Sequence, residues 1–444
     1  MGSYANLKID KFECFSMKSY VHSSFAVLFC ESDKNIEIKK IEDEDEVYDE
    51  EKVYYRTSVG TLKQRLDILG YNIPTLKYIF EESKHRRIDD FEDVDDDTSY
   101  DYDEPVFESK KDYKNFIDSF NFETYLIKLN SLYKNKIPLF FDEIFKEQTK
   151  QKLSSDNYLK FLVSEYHQDD YFLGLYNCDY RYALRGLLEK INKNTIVELD
   201  ISSLVYSGYY SNDEKLTDKS LDVNSKTIIF TEGKYDTDII KRCLGLLYPE
   251  YFDYFSFLDL DSIKIELNAS RIVTYLKSFI SAGITNKVIM IFDNDTEGNY
   301  FKQELNKIAI PNNFCVKSYP DINFANNYLC MGPNGLENSN VNGKACSIEM
   351  YLPKEVLTTD KKEVRPIRWK NYNEKLKQYH GGYSDNDKSI IQKEFEKILS
   401  NCEQGKNEIS DYDFSNIKAL LDTIIEAFND VKFSVNGISI SLVK

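Results

Sequence analysis

The second half of this 444-residue chain is predicted to be an α/β domain with a doubly wound, mainly parallel sheet. Three observations predict it. Short apolar runs of strand length recur after Thr227, as TIIFTE, YFSFLDL, NKVIMIFDND and NFCVKSYP. Segments with helical spacing stand between these runs, and alternation of this kind is typical of a parallel sheet. The third run is nearly all apolar, as expected for a strand covered on both faces.

The helices between the strands have recognisable ends. The segment ASRIVTYLKSFISAG is predicted to end at Gly283, a C′ glycine, and TEGNYFKQELNKIA is predicted to be capped by Thr296. A loop, MGPNGLENSNVNGK, then leads to a short helix in ACSIEMYLP. The remainder is predicted to be mostly helical, in NEKLKQYH, KSIIQKEFEKILS and FSNIKALLDTIIEAFND, before a hairpin turn at Asn436 and Gly437.

The first half is predicted to be mixed. NLKIDKFECFSM and SFAVLFCESD have strand-like patterns, whereas GTLKQRLDILGY and PTLKYIFEESKHRR have helical spacing, the latter with Pro74 in its first turn. A helical bundle follows over about residues 110–195, with Ser155 or Asp156 as a cap. The predicted segments are a mixed region with acidic loops (1–105), a helical block (106–206), a linker (207–226), the α/β domain (227–353) and a helical extension (354–444).

The formal net charge of −18 comes largely from two acidic runs, Glu42–Glu51 and Asp89–Glu104. Such runs are typical of solvated loops or disordered segments; the alternative is a nucleic-acid mimic or a flap over a basic groove. The overall charge argues against indiscriminate nucleic-acid binding, because affinity for phosphate comes from Lys and Arg. It is compatible with a nuclease that concentrates basic residues locally and uses divalent cations.

The eight cysteines include no C-x-x-C pair and the chain has four histidines, so a Cys/His zinc site is not expected. Scattered cysteines without a secretory signal indicate a reducing cytoplasm. The apolar runs are too short and too interrupted by charge to span a bilayer. We therefore expect a cytoplasmic protein that has no membrane segment.

Acidic residues follow two of the predicted strands. Glu232 and Gly233 follow the first strand, and Asp293 and Asp295 follow the third. Either feature alone is also typical of a helix cap or a salt-bridge partner. The carboxyl ends of parallel strands share one edge of a sheet, however, so these acids are expected to converge there. Crowded carboxylates repel one another unless a divalent cation joins them, and oxygen ligands suit Mg²⁺ or Mn²⁺.

The pair TEGKYDTD and IMIFDNDTEG resembles the Toprim domain, the fold shared by topoisomerases, primases and OLD-type nucleases, over about residues 225–352. The resemblance implies that Glu232 acts in acid–base or metal chemistry, and that Asp293 and Asp295 hold Mg²⁺. Gly233 would let the backbone approach phosphate or metal closely.

Further residues fit the nuclease branch of that family. Asp236 lies one turn into the next helix, and Glu349 in ACSIEMYL resembles the late acid of OLD-like nucleases. With both, a two-metal site is expected; the alternative is that they lie on solvated helix faces. A cation should also stabilise charge on the phosphate. The candidates are Lys388, which the resemblance favours, and Arg368 and Arg365 in the basic, aromatic segment VRPIRWKNY.

The N-terminal segments MGSYANLKIDKFECFSMKSYV and YRYALRGLLE resemble the N-terminal region of bacterial HEPN/Toprim-associated proteins. HEPN ribonucleases carry Arg-x-x-x-x-His. No arginine stands five positions before any histidine of this chain, that is before His22, His85, His167 or His380. The block is therefore expected to bind, sense or dimerise instead of cutting. Arg181 and Arg185 either contact nucleic acid or face solvent and pair with acids.

The resemblances together imply a Mg²⁺-dependent endonuclease of bacterial anti-phage defence, acting on DNA or on RNA such as tRNA. They also allow a partner defence protein and a homo-oligomer. Two alternatives stay open. One is a catalytically silent module that senses a signal or binds a partner; the other is a primase-like nucleotidyl transferase, which the lack of a zinc module disfavours.

Overall fold

The computed structural model describes residues 2–43, 46–92, 110–137, 139, 156–164, 171–211, 216, 226–257, 269–359 and 361–433. The chain divides into two compact units. The first unit consists of residues 1–223 and 428–444, and the second of residues 224–427. No helix in the described ranges combines the length and the apolar character that a membrane crossing requires.

The first unit is built on a five-stranded sheet with the order β2-β1-β7-β4-β3, antiparallel throughout. Its strands are β1 (Tyr4–Ile9), β2 (Phe12–Lys18), β3 (Lys34–Asp43), β4 (Glu46–Ser58) and β7 (Ile196–Asp200). A separate two-stranded hairpin consists of β5 (Tyr171–Phe172) and β6 (Leu175–Tyr176). Apolar residues alternate along β1 and β7, so that one face of the sheet is buried.

Helices cover that buried face and carry the rest of the core. They are α1 (Ser23–Ala26), α2 (Val59–Leu69), α3 (Ile73–Glu92), α4 (Lys110–Ser119), α5 (Phe122–Lys134), α6 (Asn157–Ser164), α7 (Tyr180–Leu188) and α8 (Ser202–Tyr206). Pro74 stands in the first turn of α3, as predicted, and Asp156 caps α6 by accepting from the N–H groups of Tyr158 and Leu159.

Three expectations for the first unit were wrong. SFAVLFCESD forms α1 and a short 3-10 helix (Glu31–Asp33) instead of a strand. The acidic run Glu42–Glu51 lies in the paired strands β3 and β4 as far as it is described, not in a loop. The segment expected to be a helical block (106–206) also contains the β5–β6 hairpin and the strand β7, which lies between β1 and β4 in the sheet. Of the second acidic run, the part beyond Glu92 lies outside the described residues. Most of the predicted linker 207–226 lies outside them as well.

Two buried arginines of the first unit are paired with acids. The Arg65 guanidinium is fully buried and lies 2.6 Å from Asp33 Oδ2. Arg185 lies 2.7 Å from Asp67 Oδ1 and 2.6 Å from Glu189 Oε2. Arg185 therefore belongs to a buried ion-pair network, which is the pairing with acids that the sequence left as one of its alternatives.

The second unit is built on a four-stranded parallel sheet with the order β12-β10-β8-β9, which confirms the predicted α/β arrangement. Its strands are β8 (Thr227–Phe230), β9 (Phe255–Phe257), β10 (Val288–Phe292) and β12 (Phe314–Ser318). The helices between them are α9 (Lys234–Leu247), α10 (Pro249–Phe252), α11 (Ala269–Ser281) and α12 (Thr296–Leu305). Every residue of β10 is buried, as its apolar sequence predicted. Gly283 follows α11 with a φ of 68°, consistent with the predicted C′ glycine.

A second sheet follows, with the order β14-β13-β16-β17, where the sequence predicted loops and helices. Its strands are β13 (Tyr328–Gly332), β14 (Gly335–Ser339), β16 (Ile367–Asn373) and β17 (Gln378–Gly382), and a short pair joins β11 (Asn294–Asp295) to β15 (Ala345–Cys346). NEKLKQYH was expected to be helical but forms the turn of the β16–β17 hairpin. The predicted helices α13 (Asp385–Glu403) and α14 (Ser415–Ile425) are present. The hairpin expected at Asn436 and Gly437 lies outside the described residues.

Candidate functional site: an acidic cluster at the sheet edge

Glu232 lies just beyond β8, and its carboxylate reaches the end of the neighbouring strand β10. The backbone N–H of Asp293 donates a 2.8 Å hydrogen bond to Glu232 Oε1. Because β8 and β10 are adjacent and parallel, their carboxyl ends meet at this edge. The structure therefore brings together Glu232 and Asp293, which are 61 positions apart in the sequence.

Asp236 lies in the first turn of α9 and is almost fully buried. A Cβ atom added to Gly233 would lie 3.1 Å from Asp236 Oδ2, tighter than ordinary contact. The glycine thus leaves room for the Asp236 carboxylate, a more local reason than the expected approach of phosphate or metal to the backbone.

Asp295, and not Thr296 as expected, caps α12, because the N–H of Gly298 donates a 2.8 Å hydrogen bond to Asp295 Oδ1. A Cβ atom at Gly298 would lie only 2.3 Å from the backbone oxygen of Asp293. Only glycine allows α12 to begin this close to the end of β10. The tight turn keeps Asp293 and Asp295 at the same edge of the sheet.

Glu349 lies in a short 3-10 helix (Ile348–Tyr351) and is fully buried. The Ser347 hydroxyl donates a 2.6 Å hydrogen bond to one carboxylate oxygen, and Gln392 Nε2 donates a 2.7 Å bond to the other. Lys388 Nζ, on the first turns of α13, lies 3.3 Å from Glu349 Oε1. Three donors therefore hold one buried carboxylate, and one of them is the lysine that the resemblance favoured.

Burial and mutual repulsion raise the pKa values of the carboxyl groups. Burial, followed by the charge of Asp295, raises the pKa of Glu232 to about 8. Burial, followed by the charge of Glu349, raises the pKa of Asp236 to about 7.

Burial also raises the pKa of Asp293 well above its ordinary value, with added repulsion from the other acids. The N–H of Gly298 and the nearby His380 only partly offset the effect of burial on Asp295, whose pKa is raised as well.

The pKa of Lys388 is set by two opposing effects, its partial burial and the charges of the neighbouring acids. Partial burial lowers the pKa of Lys388, but the negative charges of Glu349, Asp236 and Asp293 outweigh that effect and raise it above its ordinary value. The side chain remains 48% exposed. Lys388 is therefore a protonated group at the open side of an acidic cluster.

The donor set fits a hard divalent cation in chemical type. All five candidate ligands are carboxylates, and Asp293 Oδ1 is buried without a hydrogen-bond partner among the described residues. Among the described residues, however, no group of three or more His, Cys, Asp or Glu side chains is arranged so that it could hold a metal ion. The acids are gathered, but their oxygens are not arranged as a closed coordination shell.

The two arginine candidates differ from Lys388. Arg365 is buried and lies 3.2 Å from Asp387 Oδ1 and 4.0 Å from Glu394 Oε1, both on α13. Its charge is engaged in holding that helix. Arg368 is exposed on β16, next to Gly382 of β17.

Sequence reasoning missed two groups at the cluster. His380 Nδ1, on β17, lies 3.6 Å from Asp295 Oδ2, too long for a hydrogen bond. The Tyr319 hydroxyl is buried without a hydrogen-bond partner in the described ranges, and Asp236, Asp293 and Glu232 all contribute to raising its pKa after burial itself. A single histidine in a polar segment and one of 34 tyrosines carry no spacing signal that could have identified them.

Comparison with known proteins identifies the first half of the chain. No curated protein and no solved structure matches the chain. One family model matches residues 1–223, HEPN/Toprim N-terminal domain 1. The acidic cluster lies outside the matched residues. Because the match covers half of the sequence, the chain belongs to the HEPN/Toprim N-terminal domain 1 family.

Proposed function

We propose that this protein is a metal-dependent nuclease that cleaves phosphodiester bonds of DNA or RNA, and that it acts in bacterial anti-phage defence. The observation that carries the proposal is the acidic cluster of the second unit. The Oδ1 atom of Asp293 is buried without a hydrogen-bond partner among the described residues, and the charges of Glu232, Asp236, Asp295 and Glu349 add to the desolvation that raises the Asp293 pKa. Like charges gathered in this way destabilise a fold unless something positive joins them.

Each residue has a role in this proposal. Asp293 and Asp295 would hold Mg²⁺ or Mn²⁺, and Asp236 and Glu349 would complete a second metal position. A bound ion lowers the pKa of its water ligand and neutralises charge on the phosphate. Glu232 would hold a metal or move a proton, since a carboxyl group with a pKa of about 8 can both give and take a proton near neutrality.

Lys388 would stabilise charge that develops on the scissile phosphate, with Arg368 as the second candidate. Support for Lys388 is its position beside Glu349 together with its half-exposed side chain. Arg365 is a weaker candidate because Asp387 already pairs with it. The similarity of TEGKYDTD and IMIFDNDTEG to Toprim domains, including those of OLD-type nucleases, supports the same assignment.

One observation favours the second candidate function, a catalytically silent sensing or partner-binding module. Glu232 Oε1 accepts a hydrogen bond from the Asp293 backbone, and the described acids do not form a closed ligand group. In that case the cluster would be a relic, and the family-matched first unit would carry the function.

The experiment compares wild type with the double variant Asp293→Asn, Asp295→Asn on labelled DNA and RNA, with Mg²⁺ or Mn²⁺. We expect cutting by wild type and a loss of at least about 100-fold in the variant, since even outer-shell partners of a metal are worth about 10- to 100-fold. Growth of the labelled strand without cutting would indicate a nucleotidyl transferase. Cells carrying wild type or variant are then infected with phage; equal protection by both would support the silent module.

A further inference from the structure

The β16–β17 hairpin is a basic patch in an acidic protein. Residues 367–382 contain four Lys or Arg and a single Glu, whereas the whole chain has a net charge of −18. Arg368, Lys370 and Lys377 are exposed, and none of them forms a salt bridge with a carboxylate of the described residues. Local positive charge that no acid neutralises is available to bind phosphate.

The same hairpin exposes aromatic rings. Tyr372 and Tyr379 lie opposite each other across the two strands, with 51% and 49% of their surface exposed and ring centroids 5.0 Å apart. Trp369, the single tryptophan of the chain, lies 6.4 Å from the Tyr379 ring. A Cβ atom at Gly381 would lie 2.8 Å from Trp369 Cε3, so the glycine gives the indole its place. Two exposed tyrosine rings, with a partly buried indole and cations beside them, form a platform on which bases can stack.

The hairpin is attached directly to the turn that carries the acids. Thr296 Oγ1, next to Asp295, donates a 2.9 Å hydrogen bond to the backbone oxygen of Tyr379. Gln378 Nε2 lies 3.1 Å from Thr296 Oγ1, and His380 lies beside Asp295. A nucleic-acid strand bound to the hairpin would therefore pass next to the acidic cluster.

The combination of features favours single strands. In a duplex the faces of the bases are stacked on one another and are not available to tyrosine or tryptophan, whereas every unpaired base can stack. We propose that the β16–β17 hairpin binds single-stranded nucleic acid, with bases stacked on Tyr372, Tyr379 and Trp369 and phosphates held by Lys370 and Lys377. The inference rests on the proposed function and specifies its substrate class.

Binding of the full-length protein is measured by fluorescence anisotropy in EDTA, so that nothing is cut. The probes are labelled oligothymidylate, oligouridylate and a duplex of equal length, about 20 nucleotides, which exceeds the usual site size. We expect both single strands to bind more tightly than the duplex. We expect Tyr372→Ala with Tyr379→Ala to weaken single-strand binding about 10-fold or more, and the corresponding double Phe variant to bind like wild type, because stacking needs only the ring.

Two further arms separate stacking from charge and from general exposure. Lys370→Ala with Lys377→Ala should reduce the slope of log K against log salt by about 1.4, at about 0.7 for each phosphate contact on a single strand. Tyr206→Ala with Tyr209→Ala is the matched control, since these tyrosines of the first unit are 91% and 54% exposed. Binding by this control should equal that of wild type.

The proposal is overturned if the duplex binds as tightly as the single strands, or if the Tyr372→Ala, Tyr379→Ala variant binds like wild type. Its failure is distinct from failure of the nuclease proposal. Selective single-strand binding that depends on the hairpin, in a protein that never cuts, would support the docking surface alone. Cutting that is indifferent to the hairpin variants would refute the docking surface alone.

Discussion

The arginine network of the first unit and the acidic cluster of the second unit hold buried charge in opposite ways. In the first, each buried guanidinium of the network lies against a carboxylate, as Arg65 does with Asp33 and Arg185 with Asp67. In the second, five carboxyl groups are gathered at one sheet edge with Lys388 as their neighbouring cation. An ion pair explains why a charge is tolerated in the interior of the protein. Like charges gathered together lower the stability of the fold, so their presence needs another explanation. The difference identifies the second unit as the place to look for chemistry.

The same distinction corrects a tempting reading of the first unit. Arg181 and Arg185 lie one helical turn apart on α7, so that both side chains could contact nucleic acid from one face of the helix. The structure pairs Arg181 with Asp179 and Arg185 with Asp67 and Glu189. Both arginines therefore stabilise the fold.

The largest expected effect tests the paired side of the comparison. Arg185→Met should destabilise the first unit by about 3–5 kcal/mol, because it leaves a carboxylate buried without its cation. Burial already raises the pKa of Asp67 and Arg185 opposes that shift, so the loss should be greater at neutral pH than in acid. Urea unfolding of the full-length protein measures it.

The control is Lys190→Met, which removes an exposed ion pair with Glu123 and should cost less than about 1 kcal/mol. Replacing Asp67 by Asn in the Arg185→Met background should restore part of the stability. Equal, small losses in both single variants would contradict the role given to the buried network.

The second prediction tests the unpaired side. Burial raises the pKa of Glu232 from 4.5 to about 8, so the folded protein keeps a proton that the unfolded chain releases. The stability from this group is complete below pH 4.5 and is lost as the pH rises through about 8. Glu232→Gln cannot ionise. In EDTA it should be more stable than wild type by about 1–3 kcal/mol near pH 9 and similar near pH 5.

Calorimetric melting at the two pH values measures this difference. Glu304→Gln is the control, because Glu304 is an exposed acid of the same unit paired with Lys307. It should show no gain in alkali. A Glu232→Gln variant that is less stable than wild type at high pH would mean that the acids are not in electrostatic conflict.

The third prediction separates the cations of the cluster. Lys388→Ala should lower cleavage about 10- to 100-fold, because Lys388 contacts Glu349, a proposed metal ligand. Ser347 and Gln392 still donate hydrogen bonds to Glu349, so the melting temperature should fall less than in Arg185→Met. Arg365→Ala should instead lower the melting temperature, because Arg365 pairs with Asp387 of α13. If Arg365→Ala lost activity without losing stability, Arg365 and not Lys388 would be the cation that serves cleavage.

The parallel sheet and the convergence of Glu232 with Asp293 were predictable because both depend on local pattern and on a general rule of sheet topology. The second sheet was not. NEKLKQYH is rich in residues that favour helices, yet it forms a hairpin. The backbone N–H of Leu376 donates a hydrogen bond to Asn373 Oδ1 in the turn, and Tyr372 pairs with Tyr379 across the strands. Such pairing is set by tertiary context and outweighs propensity.

The strand β7 was missed for a different reason. Its alternation, with Val197 and Leu199 buried, is a strand signal, but it covers only five residues after a helical stretch. The site shows the same limit. Its acids follow strands and are readable, whereas His380 and Tyr319 reach the cluster from segments whose position depends on the whole fold.

Anomalous diffraction from crystals of the full-length protein soaked in Mn²⁺ tests the central claim most directly. We predict a peak at the carboxyl edge of β8 and β10, with Asp293 and Asp295 oxygens at coordination distance, about 2.0–2.6 Å. Asp293 Oδ1, now buried without a described partner, should be one of the ligands. A saturating soak that leaves no peak at this edge would contradict the assignment of the acidic cluster as a metal site.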